Sequence, residues 1–172
     1  ALVTPHPIAA GVPPVEIVST QPVEKSAKSG TVPIAISGGG DGFEVRFAHP
    51  ANTFVSNLQI GRQGSSAVLG ITANGSLGAS SNVVTLGDSF FDGESTRTSH
   101  GTLRAFANLT LPSSRAIQVK VDGGRIDTNG FTMTIDTAIT QAGAGIRLEK
   151  VGAGTLLLNG TNAFNGTLRV QE

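Results

Sequence analysis

The sequence predicts an all-β chain wound into a parallel β-helix, on three observations. No window of about 12 residues carries a helical stripe of apolar side chains. The apolar stretches are mostly three to five residues long and are joined by Gly- and Asn-rich connections. An Asn-Gly or Gly-x-Gly turn followed by a Thr-containing apolar strand recurs in the last third. Asn129-Gly130-Phe131-Thr132-Met133-Thr134-Ile135 and Gly152-Ala153-Gly154-Thr155-Leu156-Leu157-Leu158 are examples. A β-sandwich would also have short strands, with turn signals about every 8–12 residues. Recurrence of one turn-plus-strand unit favours stacked coils instead, because such a unit cannot bury its apolar face alone.

Taken in order, residues 1–30 stand apart. Pro5, Pro7, Pro13, Pro14 and Pro22 are five of the eight prolines in the chain. Proline lacks a ladder donor and fixes φ, so this segment is expected as an extended arm. Between the prolines, Val15-Glu16-Ile17-Val18 is a short strand candidate. Val15, Ile17 and Val18 are the residues by which the arm would be held, by its own β-helix or by a neighbouring subunit. From Thr31 the alternation of Val32, Ile34 and Ile36 gives a strand that Pro33 restricts to an edge, a start or a bulge. After a Gly-rich turn, Phe43-Glu44-Val45-Arg46-Phe47 puts three apolar side chains on one face and two charges on the other. Phe54 to Ile60 alternates less cleanly, and glycines punctuate residues 61–78.

The second half is more regular. Strands are expected at Val83–Leu86, Thr102–Phe106, Asn108–Leu111, Ile117–Val121, Phe131–Ile135, Ile146–Leu148, Thr155–Leu158 and Thr167–Val170. Residues 31–172 would make about six rungs of roughly 20–25 residues each. The chain stops on a strand with no polar cap after it, as in a fragment or a column whose next rung another molecule supplies. A repeated head-to-tail contact of that kind builds a filament.

Composition agrees. The chain has 172 residues, with 23 Gly, eight Phe, no Trp and no Tyr. A solenoid interior is thin and can be lined by aligned Val, Ile, Leu and Ala. Twelve basic and twelve acidic residues give zero net charge, scattered mostly singly. This argues against nucleic acid and against a polybasic membrane patch. No apolar run approaches the ~18 residues of a membrane-spanning helix, and no barrel pattern recurs. The absence of Cys removes disulfides, thiolate catalysis and zinc–cysteine sites. Ala1 follows no charged leader, which fits a processed start.

The final stretch sharpens the expectation. Gly145-Ile146-Arg147-Leu148-Glu149-Lys150-Val151 is followed by Gly152-Ala153-Gly154-Thr155-Leu156-Leu157-Leu158. Then come Asn159-Gly160-Thr161 and Asn162-Ala163-Phe164-Asn165-Gly166-Thr167-Leu168-Arg169-Val170. Over residues 145–170 this resembles the autotransporter-associated β-strand repeat. The resemblance implies a right-handed parallel β-helix in a secreted protein of the bacterial cell surface, and it implies no reaction. Leu148, Leu156, Leu158 and Val170 are expected to fill the last rungs. Gly152, Gly154, Gly160 and Gly166 are expected to permit the turns.

Candidate chemistry is sparse. Asp88, Asp92 and Glu94, with Arg97 and His100 close by, would suit glycoside cleavage if two carboxylates lay about 5–9 Å apart. A solvated turn is the favoured reading of this cluster. Asp122 and Asp127 flank Gly123-Gly124 and read as turn residues. Gly38 to Gly42 resembles a calcium-binding Gly/Asp turn but occurs once. His6, His49 and His100 lack a second ligand at metal-site spacing. No Gly-x-Ser-x-Gly elbow occurs. Asn74, Asn108, Asn159 and Asn165 begin Asn-x-Ser/Thr triplets and read as turn and ladder residues. Thr132, Thr134, Thr155 and Thr167 are strand formers that a flat outer face could present to water or sugars.

The expected function is therefore non-enzymatic. The chain is an extracellular structural protein that associates with itself, by end stacking or by donating its arm, into a fibre or matrix. No catalytic, cofactor-binding or metal site is assigned. The alternatives are a fragment of an autotransporter-like adhesin passenger, taking a glycan or host-surface ligand, and a polysaccharide-degrading β-helix enzyme.

Overall fold

The computed structural model describes residues 16–19, 33–38, 43–91, 93–121, 123–143, 145–163 and 165–172. They form a parallel β-solenoid of about five turns. Each turn visits three faces. The long sheet joins, in spatial order, β1 (Glu16–Ser19), β3 (Glu44–Phe47), β5 (Ala67–Ile71), β9 (Gly101–Ala105), β12 (Gly124–Asp127), β15 (Ile146–Val151) and β17 (Gly166–Val170). A five-stranded side sheet joins β2 (Ile34–Ile36), β4 (Leu58–Ile60), β6 (Val84–Leu86), β11 (Ile117–Lys120) and β14 (Ile139–Ala142). The third face is strand only in later turns, as β10 (Leu109–Leu111), β13 (Thr132–Ile135) and β16 (Thr155–Leu158). Earlier it is a non-strand segment through Phe54 and a 3-10 turn at Asn74–Leu77, and Phe54 and Leu77 are both buried.

Parallel in-register stacking turns every second side chain into a row along the column axis. In the long sheet, Val45, Leu69, Leu103 and Ile126 form one inward row. Phe47, Ile71 and Ala105 form a second. Across the core, Leu58, Val84, Ile117 and Ile139 line up beside Ile36, Ile60, Leu86 and Val119. Leu109 and Met133, with Leu111 and Ile135, close the third side. These rows belong to one hydrophobic cluster. The long sheet's remaining inward row reads Ala67, Gly101, Gly124, Leu148. Gly124 is required there because a Cβ would lie 2.8 Å from Leu86 Cβ, where the side sheet presses in. Up to Gly124 this corner thus admits only small residues, and Leu148 widens it in the next rung.

Two features depart from the sequence expectation. The column has about five turns rather than six, because residues 88–99 add no rung. They form an antiparallel hairpin of β7 (Asp88–Phe91) and β8 (Thr96–Ser99), inserted between side and long sheets. The register offset grows there, from 24 residues at Glu44↔Val68 to 34 at Val68↔Thr102. Strands β5, β7, β8, β12 and β14 were also not legible, being masked by Gly, Asp and Thr. The N-terminal segment brings β1 onto the chain's own long sheet, with Ile17 beside Val45 and Val18 beside Arg46. Val15 and the rest of the expected arm lie outside the described residues.

Candidate functional site

The outer face of the long sheet carries the densest chemistry. Outward positions alternate with the apolar ones, and in register they read Glu44, Val68, Thr102, Arg125, Glu149, Arg169. The neighbouring row reads Arg46, Gly70, Arg104, Asp127, Val151. Arg104 donates from Nη1 to Glu44 and from Nε to Asp127 Oδ2 at 2.7 Å. Burial pulls the Arg104 guanidinium down, but Asp127 and then Glu44 outweigh it, and the net shift is upward. Gly70 leaves room for the Phe106 ring, whose face meets the Arg46 guanidinium 3.9 Å from the ring centre.

At the C-terminal end of this face three arginines meet one carboxylate. Arg125 Nε donates to Glu149 Oε2 at 2.8 Å. Arg147 Nε lies 3.2 Å and Arg169 Nη1 3.9 Å from Glu149 Oε1. Burial pushes the Glu149 carboxyl up. The bond from Arg125 and the charges of Arg147, Arg125 and Arg169 overcome this and hold it below the ordinary carboxylate range. Acids and bases are segregated by depth. The side chains of Glu44, Asp127 and Glu149 are 13%, 10% and 3% exposed, whereas Arg147 and Arg169 are 43% and 55% exposed. Solvent therefore meets guanidinium groups over a layer of buried carboxylates.

The second feature is the column's C-terminal end. Leu148 is fully buried, but Leu168, next in its row, is 49% exposed. Val170 stands in the row of Ile126 and Lys150 and is 67% exposed. Val170 therefore does not fill a covered rung: it has the inward parity, yet no rung lies beyond it among the described residues. Leu156 and Leu158 continue the rows of Met133 and Ile135 and are half-buried against the cluster. Leu157 points outward and is 45% exposed. Gly152 and Gly154 have φ of +70° and +100°, so their turns need glycine. Gly160 and Gly166 serve close approach instead. A Cβ there would overlap the Thr137 and Ile146 carbonyl oxygens of the rung before.

The remaining sequence candidates scatter. Asp88 sits at the hairpin base, bonded to Lys120 Nζ at 3.0 Å. Glu94 is exposed, Asp92 and Asp122 lie outside the described residues, and His100 donates its backbone N–H to Ser66 Oγ. Asp127 belongs to strand β12, but its Oδ1 also accepts from Asn129 N at 2.9 Å in a turn. His49 Nδ1 accepts from Ala51 N. His6 and the Gly39–Gly42 turn are outside the described residues. Thr132 and Thr134, half-buried, and Thr155, exposed, share the outward face of the third sheet, Thr132 beside Thr155, whereas exposed Thr167 lies on the long sheet. Among the described residues no group of three or more His, Asp or Glu could hold a metal ion, and no helix is long and apolar enough to cross a membrane.

Sequence reasoning missed Arg115, which is fully buried in the corner between β10 and β11. Its Nε donates to Asn74 Oδ1 at 2.9 Å, Nη1 to the carbonyls of Ala79 (2.6 Å) and Asn82 (3.1 Å), and Nη2 to Gly78 O at 2.9 Å. These acceptors lie in and just after the 3-10 turn of the preceding rung, and burial lowers the guanidinium pKa. Asparagines staple other corners. Asn108 Oδ1 accepts from Thr132 N, Asn162 Oδ1 from Ile139 N, and Asn82 Oδ1 from Ser56 N, each at 2.8 Å. Asn159 Nδ2 donates to Asp136, and Asn165 N to Gln141 Oε1. The outer ladder had a readable signal, since each long-sheet strand from β9 on carries an arginine. The corner arginine had none, because most of its partners are backbone carbonyls 33 to 37 residues upstream.

Comparison with known proteins finds no matching family model, no matching curated protein and no matching solved structure.

Proposed function

We propose that this chain is a non-enzymatic structural protein of the bacterial cell surface, secreted and related to autotransporter-type β-helices, whose columns associate end to end. The observation that carries this reading is the uniform parallel register of the long sheet, whose two end strands, β1 and β17, are of complementary kind. Leu168 and Val170 continue inward rows but stand 49% and 67% exposed. In this reading a second copy of the chain covers them. A parallel stack offers complementary edges at its two ends, β17 at one end of the long sheet and β1 at the other among the described residues. Stacking them extends the same ladder and covers the same rows. The contact is heterologous, so its repetition gives a fibre.

The adhesin-passenger reading draws on the repeat-like pattern of residues 145–170 and needs no association. The lyase or hydrolase reading is disfavoured because Asp88, the acid at the hairpin base, is committed to Lys120. Electron microscopy and light scattering of the 172-residue chain at neutral pH test the proposal. Fibres whose axial repeat matches one short column support it. Monodisperse single copies at high concentration defeat it in favour of the passenger reading. Release of reducing ends from a polysaccharide panel would overturn the non-enzymatic assignment.

A further inference from the structure

We propose that the outer face of the long sheet, at Arg147 and Arg169, binds a linear polysaccharide carrying sulfate or carboxylate groups. This site is independent of how the column's ends are covered. It rests first on depth. Glu149 is 3% exposed and lies beneath Arg147 and Arg169, which are 43% and 55% exposed. Its single negative charge is shared by these two and by Arg125, which holds its other oxygen at 2.8 Å. At least one positive charge is therefore left on the two outward guanidiniums. Arg147 uses its Nε on the carboxylate, leaving its planar Nη edge for an incoming oxyanion. That edge suits bidentate sulfate or carboxylate recognition.

The surroundings fit the same ligand. Thr167 stands beside Arg147 in register and is exposed, adding a hydroxyl of the kind that bonds sugars. Further along the face, Arg104, its side chain 32% exposed, meets Asp127 and Glu44, whose carboxylates lie deeper at 10% and 13% exposed. Rungs are spaced about 4.8 Å apart, a step comparable to the repeat of charges along an extended polymer. Nucleic acid fits less well. Single strands need open stacking platforms, and the ring on this face, Phe106, already has Arg46 over it. Duplex needs a broad basic surface, and the chain's net charge is zero.

The test uses dextran sulfate, polygalacturonate, neutral dextran and single-stranded oligonucleotide as probes against the whole chain. We expect both charged polysaccharides to bind at low salt, with affinity falling as salt rises, and neutral dextran not to bind. The double variant Arg147→Gln/Arg169→Gln should weaken binding about tenfold or more, with an unchanged circular dichroism spectrum. Should that variant fail to fold, arginine modification of the native protein by phenylglyoxal serves instead, with dextran sulfate expected to protect Arg147 and Arg169. Binding of sulfate but not carboxylate polymers, or the reverse, keeps the site and names the group. No binding, equal binding by the variant, protection elsewhere on the chain, or equal affinity for oligonucleotide overturns the proposal.

Discussion

Replacing Arg115 with methionine isolates the corner network from side-chain bulk. Methionine keeps an unbranched apolar stem but has no donor. Four bonds are lost, to Asn74 Oδ1 (2.9 Å), Ala79 O (2.6 Å), Gly78 O (2.9 Å) and Asn82 O (3.1 Å). Bonds from a charged donor contribute about 1.5–3 kcal/mol each, so the gross loss is roughly 6–12 kcal/mol. Against this, the variant escapes the several kcal/mol that burying a guanidinium costs. The net expectation is a loss of about 3 kcal/mol, or roughly 6–12 °C in Tm for a chain of this size. The assay is urea unfolding followed by circular dichroism, with a thermal melt as a second readout. Arg115→Lys keeps the charge but not the planar fork, and should recover less than half of the loss. A loss under about 0.5 kcal/mol for Arg115→Met would mean that water serves those carbonyls equally well, and the corner would not be closed by this side chain.

Other perturbations probe different levels. Gly101→Ala places a Cβ against the Ile60 carbonyl oxygen and 2.6 Å from Gly87 N, and should cost about 2 kcal/mol or more, read as a lower Tm. Leu148→Asp buries a carboxyl group without a partner and should cost about 4 kcal/mol or more, whereas Val170→Asp, 67% exposed, should leave the melt within about 0.5 kcal/mol while abolishing any fibres. Glu149 has a depressed carboxyl pKa in the folded state. Its contribution is present above the unfolded value of about 4.3 and is lost as pH falls through the folded value. Glu149→Gln should therefore be less stable than the native chain at pH 7, with the gap closing on titration below about pH 4. A gap constant from pH 7 to pH 3 would show that the arginines gain nothing from the ionised carboxylate.

How much of this was legible depends on the kind of contact. Alternation within Phe43–Phe47, Ile117–Val121 and Phe131–Ile135 exposed their inward faces before any partner strand was known, because strand periodicity is local. Gly152 and Gly154 were readable as turn residues, since positive φ selects glycine from the chain's own sterics. The hairpin was not readable. Asp88 to Ser99 has too few apolar residues to announce strands, and its pairing is antiparallel inside a parallel stack. Nor was the exposure of Val170, whose parity was visible but whose covering depends on what lies beyond the last rung.

The sequence by itself determined the all-β character, the short-strand and tight-turn rhythm, and which side chains of the regular strands face inward. Those follow from backbone sterics and a period of two, which act within a few residues. Only the tertiary structure decided which rung lies against which. That placement set Arg125, Arg147 and Arg169 around Glu149, and Arg115 beneath the carbonyls of Gly78, Ala79 and Asn82. Residues some 20–40 apart in sequence become neighbours a few ångströms apart through register. Register is fixed by the summed packing of every row at once, which no single stretch of the chain contains.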